Sequence, residues 1–122
     1  MSAREVFFLI GRNETVLYRD EGSGPTFIPD ARTRWEAIWS RRDELVEIAH
    51  SHPVGPLAFS AEDDTTMDAI TSALGRTVVF SVVTPGSMLR RIVSPDATAA
   101  ASDQVVDEEP PWAAELRRQS GV

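Results

Sequence analysis

Residues 49–64 read AHSHPVGPLAFSAEDD, and they hold both histidines of the 122-residue chain, His50 and His52. On a β-strand, residues i and i+2 share a face and lie about 6 to 7 Å apart along the chain, so two imidazoles with this spacing at a strand end can converge on one ion. Neutral imidazole suits zinc, and a catalytic zinc typically takes three protein ligands and leaves one position to water. Asp63 is the expected third ligand. If Ser60 caps a helix, Asp63 falls in its first turn, where the helix dipole also favours a carboxylate. Pro53, Gly55 and Pro56 stiffen the intervening loop enough to bring the chain back to the histidines. A plainer interpretation stands beside this one: Ser60-Ala61-Glu62-Asp63 has the form of a helix N-cap, and a histidine on a strand is more often a hydrogen-bonded structural residue. The two are compatible, because Asp63 need not bond the backbone for Ser60 to cap. Asp64 is expected to be solvated.

The surrounding chain limits what such a site can serve. With 42% hydrophobic and 25% charged residues the composition is that of a soluble globular domain, and 122 residues suffice for one core without disulfides. A net charge of −7, with scattered Arg as the cations, argues against sequence-independent binding to nucleic acid. The absence of cysteine removes disulfides, thiolate-held metals and thiol nucleophiles, so any metal must be held by His and carboxylate. The longest apolar run, at residues 6–10, is too short to span a bilayer, and the N-terminus lacks the form of a secretory signal. A cytoplasmic protein without membrane partners is expected.

Working outward, residues 5–10 form a continuous β-branched and aromatic run closed by Gly11, and residues 15–19 follow after turn residues, predicting a hairpin. Residues 20–25 read as a flexible loop and a plausible mobile element. Trp35, Ile38 and Trp39 recur at helical spacing within residues 31–42, and core packing is the expected fate of the tryptophans, with an exposed partner-binding Trp as the alternative. Residues 45–50 are β-like; residues 60–74 form a helix stopped by Gly75; residues 77–83 and 87–93 form a second hairpin around Pro85-Gly86. The order β-β-α-β-α-β-β predicts one α+β domain, a mixed and mainly antiparallel sheet flanked by helices. This domain is expected over residues 1–94. Residues 95–122 are expected to form an acidic linker and solvated tail, carrying Asp103, Asp107, Glu108 and Glu109, with a short helix near residues 111–119.

The pattern His50-x-His52-Pro53, six residues, then Ser60-x-x-Asp63 resembles the signature of the JAB/MPN metallopeptidases, also called the JAMM family. The element order over about residues 5–93 is similar to that cytidine-deaminase-like fold. The resemblance implies a zinc metallopeptidase or isopeptidase in which His50, His52 and Asp63 hold Zn2+ and Ser60 stabilises the tetrahedral oxyanion. It also implies a glutamate from an N-terminal strand as general acid/base on zinc-bound water. Glu5, leading the apolar run into Gly11, matches that segment, although the family pattern commonly has a helix before the strand and one more residue between Glu and Gly. Among the alternatives, Glu47 is expected on the opposite strand face from His50, Glu14 and Glu21 in turn and loop, and Glu36 in a helix.

The substrates the resemblance implies are ubiquitin-like or sulfur-carrier proteins, cleaved at an extended C-terminal tail. Two rival functions remain: a catalytically silent MPN-type interaction module, working through the loop at residues 20–25 and the acidic tail, or a zinc hydrolase of a small-molecule amide. A homodimer is compatible with either.

Overall fold

The computed structural model describes residues 5–21, 31–95 and 102–121. Its strands are β1 (Val6–Gly11), β2 (Val16–Glu21), β3 (Leu45–Ser51), β4 (Val78–Val83), β5 (Met88–Val93) and β6 (Asp103–Val105), and its helices α1 (Ala31–Ser40), α2 (Ala61–Leu74) and α3 (Pro111–Ser120). One sheet in the order β2-β1-β3-β4-β5-β6 contains all six strands. Only β3 and β4 run parallel, joined by α2; the other neighbours are antiparallel. The expected α+β domain with a mixed, mainly antiparallel sheet is therefore the fold found. Most of the loop at residues 20–25 lies outside the described residues, as does the expected helix entry at Pro29-Asp30.

The apolar run of β1 is continuous because both of its faces are covered. Phe7 and Leu9 pack with Ile48 and Phe80 against Ile38 of α1 and Met67 and Ile70 of α2. Val6, Phe8 and Ile10 pack with Ala49 and Met88 against Trp112, Ala113 and Leu116 of α3. A strand buried on both sides has no reason to alternate in polarity. At the exposed end of the sheet, β2 shows mixed exposure instead.

Helix α2 is capped by Ser60 at its start and by Gly75 at its end, whose φ of 67° suits a glycine and whose N–H donates to Thr71 O at 2.8 Å. Arg76 then reaches across to the carbonyls of Arg42 and Leu45, each at 2.6 Å, and ties the helix end to the turn before β3. These contacts hold both ends of the β3–α2–β4 crossover in which the histidines and the acid reside.

Three expectations need correction. Helix α1 stops at Ser40, two residues early, because the chain turns there with Arg41 and Arg42 bonding back to Ile38 O and Trp39 O. Trp35 is partly buried against the core, but Trp39 is 51% exposed with the Arg42 guanidinium 4.2 Å from its ring centre. The acidic C-terminal segment is not simply a solvated tail. Residues 103–105 extend the sheet beside β5, Asp103 pairs with Arg91 at 2.5 Å, and Glu109 pairs with Arg117 at 2.6 Å. Three-residue β6 is too short to carry a period-2 pattern, and α3 follows with its apolar side on the sheet.

Arg117 also donates to Thr84 O at 2.7 Å and Ser87 O at 3.1 Å, clamping α3 to the β4–β5 turn. Truncating Leu116, fully buried under this clamp, to alanine should cost about 2–5 kcal/mol of unfolding free energy in denaturant titration. The Arg117 hydrogen bonds hold the Glu109 carboxyl below its ordinary value against a smaller opposing effect of burial. Its stabilisation is thus present above the ordinary carboxylate range and is lost as pH falls through the lowered folded value. Glu109→Gln should flatten that part of the acid limb of a stability–pH curve, and an unchanged limb would show that the pair contributes nothing.

Candidate metal centre

The site lies at the carboxyl end of β3, beside the parallel neighbour β4. His52 is one residue beyond the strand, yet its N–H still donates to Val83 O at 2.8 Å, so the β3–β4 pairing holds it in place. Ser51, between the two histidines, faces the other way and is buried. Its Oγ accepts the Val6 N–H at 2.8 Å, fastening the first residue of β1 to the last of β3. Phe7 pairs with His50 in the β1–β3 register. Continuing that register two residues back brings Glu5 opposite His52, on the face shared with His50. One carboxylate oxygen of Glu5 and a ring nitrogen of each histidine lie within 4.8 Å of one another.

Asp63 comes from the first turn of α2. Ser60 Oγ accepts the Asp63 N–H at 3.0 Å, and Asp63 Oδ2 accepts the Ser60 N–H at 2.7 Å, a reciprocal capping box. The same Oδ2 lies 3.4 Å from His50 Nε2 and 3.8 Å from His52 Nε2. Asp63 therefore does bond the backbone, and it still presents that oxygen to the histidines because a carboxylate oxygen has two lone pairs.

The two Nε2 atoms are 3.1 Å apart. Two nitrogen lone pairs at that distance repel unless a proton or a cation lies between them. His52 Nδ1 is 3.0 Å from Pro56 O, which can only accept, so Nδ1 carries the hydrogen and Nε2 is free as a ligand. Burial, helped by neighbouring His50, holds the His52 imidazole below its ordinary pKa and favours the neutral form. For Asp63, burial raises the pKa, but hydrogen bonding and charge from His50 and the Ser60 bonds outweigh it and hold the carboxyl well below the usual range. Glu5 is raised, mainly by burial, with His50 opposing and Asp63 adding to the rise.

The donor set fits a metal. Ligand atoms about 2.0–2.1 Å from a tetrahedral ion lie about 3.3 Å from one another, and the His50–His52–Asp63 triangle has sides of 3.1, 3.4 and 3.8 Å. Glu5 sits at the rim of this triangle within reach of both rings. A family model for prokaryotic homologs of the JAB domain matches residues 8–99. The chain belongs to that family. The match contains His50, His52, Ser60 and Asp63 and begins after Glu5, so the place of Glu5 beside the rings comes from the strand register alone. No curated protein matches the chain.

Glu47, the nearest rival in sequence, faces α3 as expected and is occupied there: Ser81 Oγ donates to it, and Arg90 pairs with it at 3.2 Å. Asp64 is not merely solvated but bonds Arg91 at 2.6 Å. Two arginines at the site carry no motif that would single them out of the sequence. Arg91 joins Asp64 of α2 to Asp103 of β6 and lies 4.6 Å over the Phe59 ring, which packs edge-on to His50. Its strand parity is the available clue, since Arg90 and Arg91 must face opposite ways. Arg34 of α1 lines the cavity beside Glu5, His50 and Asp63.

Calorimetric titration with Zn2+ should give one ion per chain. Ser60→Ala, which removes the bond that orients Asp63, should weaken that affinity about 10–100-fold, and His52→Ala should weaken it further. Equal affinities in all three proteins would place the ion elsewhere.

Proposed function

We propose that this protein is a zinc-dependent amide hydrolase, a peptidase or isopeptidase of the JAB type, with His50, His52 and Asp63 as metal ligands. The observation that supports it best is the Glu5 carboxylate within 4.8 Å of both ligand imidazoles, with its pKa raised by burial. A silent interaction module has no need of a half-buried acid beside a complete ligand triangle. Bound there, a zinc ion would polarise the scissile carbonyl and acidify a water molecule.

The chain's own groups do the rest. Glu5, its pKa raised by burial, takes a proton from the attacking water and returns it to the departing amine nitrogen as the C–N bond breaks. Ser60 uses its Oγ lone pair to accept from Asp63 N, leaving the hydroxyl hydrogen free to donate to the carbonyl oxygen as negative charge develops there. Asp63 is held in one rotamer by its bond to Ser60 N. The open groove lined by His52, Gly55, Pro56 and Ser60, about 590 Å³, suits an extended chain such as the C-terminal tail of a ubiquitin-like or sulfur-carrier protein.

Glu5→Gln keeps the size and the hydrogen-bonding capacity of the side chain but cannot take the proton. It should lower kcat for amide hydrolysis by about 10²–10⁴-fold while zinc binds as before, measured by release of a tail peptide alongside metal analysis. Undiminished turnover would remove Glu5 from the chemistry.

A further inference from the structure

His50 and His52 come from the end of β3 and Asp63 from the first turn of α2, and residues 52–60 between them form neither strand nor helix. A metal site needs such parts held to within about 0.5 Å of the productive geometry. Arg76 fastens only the far end of α2. At the near end the side chain that reaches the helix is Arg91 of β5.

Register puts Arg91 there. It stands across from Phe80 of β4 on one side and Asp103 of β6 on the other. Phe80 packs towards α2, and cross-strand partners share a face, so Arg91 and Asp103 lie on the face that carries His50. The Arg91 Nε and Nη2 form a fork with the two oxygens of Asp103, at 2.5 and 3.0 Å, which leaves Nη1 to bond Asp64 at 2.6 Å. The guanidinium carbon also lies 4.6 Å from the Phe59 ring centre, and that ring meets the His50 ring edge-on with centres 6.2 Å apart. Phe59 and Asp64 are the residues immediately before and after the Ser60–Asp63 capping box. One side chain, only 18% exposed, thus holds the cap from both ends and backs the His50 ring through Phe59.

Resting on the metal-centre reading above, we infer that Arg91 is a positioning residue of the zinc site, keeping Asp63 and His50 at ligand separation, and that Asp103 supports the site by fixing the Arg91 fork. Asp103 lies beyond the matched residues 8–99, so this support comes from a segment outside the family match. Charge alone works in the opposite direction. A cation beside the site repels Zn2+, so removing Arg91 would tighten zinc binding if only its charge mattered. Positioning predicts weaker binding.

The test uses full-length protein. Zinc affinity is measured by competition with a chelator, and coordination geometry is read from the visible spectrum of the Co2+-loaded protein. Arg91→Gln should bind zinc about 10–100-fold more weakly and shift the Co2+ band. Asp103→Asn should weaken binding by a smaller factor and add no further loss beside Arg91→Gln, because it acts through Arg91. Arg91 lines neither the groove nor the neighbouring cavity. Its loss should therefore lower kcat on a tail peptide and leave KM in place. If Arg91→Gln does not fold, Asp64→Asn decides: a shifted Co2+ band supports the tether, and a wild-type band sinks it. Unchanged or tighter zinc binding by Arg91→Gln protein with native circular dichroism, or an Asp103→Asn loss that persists in full beside Arg91→Gln, would overturn the inference and leave the metal centre standing. Zinc affinity that His52→Ala leaves unchanged would sink the metal-centre reading and the Arg91 role with it. Affinity and spectrum need no turnover, so an absence of hydrolysis counts against the hydrolase reading alone.

Discussion

The site depends on the register between β1 and β3, set by their antiparallel ladder and fastened at the site end by the Val6 N–H donating to Ser51 Oγ. Ser51 and the histidines on either side of it point to opposite faces of the sheet. The serine can therefore hold the neighbouring strand while the imidazoles remain free. With Phe7 across from His50, the next same-face position on β1 is Glu5. Slipping β1 by one residue would exchange its two faces, expose its phenylalanines to the wrong core and turn Glu5 away towards α3. Packing on both faces of β1 thus enforces the placement of the acid.

Asp63, the proposed third ligand, obeys a similar economy. Asp63 Oδ2 completes the cap of α2 and also faces the histidines. The cap removes rotamer freedom from the carboxylate before any ion binds, as Pro56 O does for the His52 ring. Groups locked by bonds of this kind lose little further freedom on coordination. The arrangement is supported from behind by Arg91, which connects α2, β6 and the Phe59 ring beside His50. The acidic C-terminal segment is thereby joined physically to the candidate metal site.

The two faces of the sheet have different tasks. Towards α3 the polar groups are paired among themselves: Glu47 with Ser81 and Arg90, and Arg117 with Glu109 and two carbonyls. Towards α1 and α2, Glu5 stands beside two imidazoles, and Arg34 Nε is buried without a hydrogen-bond partner among the described residues. Satisfied groups stabilise a fold, whereas a cluster of titratable groups with shifted pKa values marks where a ligand is expected.

Much of this was legible in the order of residues. The His50-x-His52 spacing places two nitrogens on one face of any strand, Ser60 and Asp63 form a cap under any tertiary arrangement, and the all-apolar run of residues 6–10 demands burial on both sides. These are local rules with fixed periods. Trp39 could not be placed that way, because helical spacing marks a stripe without saying how much of it the sheet covers. Nor could the acidic segment, whose three-residue strand is too short for a pattern and whose charges found Arg91 and Arg117 only through folding. The resemblance singles out Glu5 among the glutamates, but only the β1–β3 register sets it across from His52, and Arg34 was one of the scattered arginines. Short-range geometry is written along the chain, while which distant side chains meet is decided by packing, since contacts between strands and helices far apart in sequence carry no local signal.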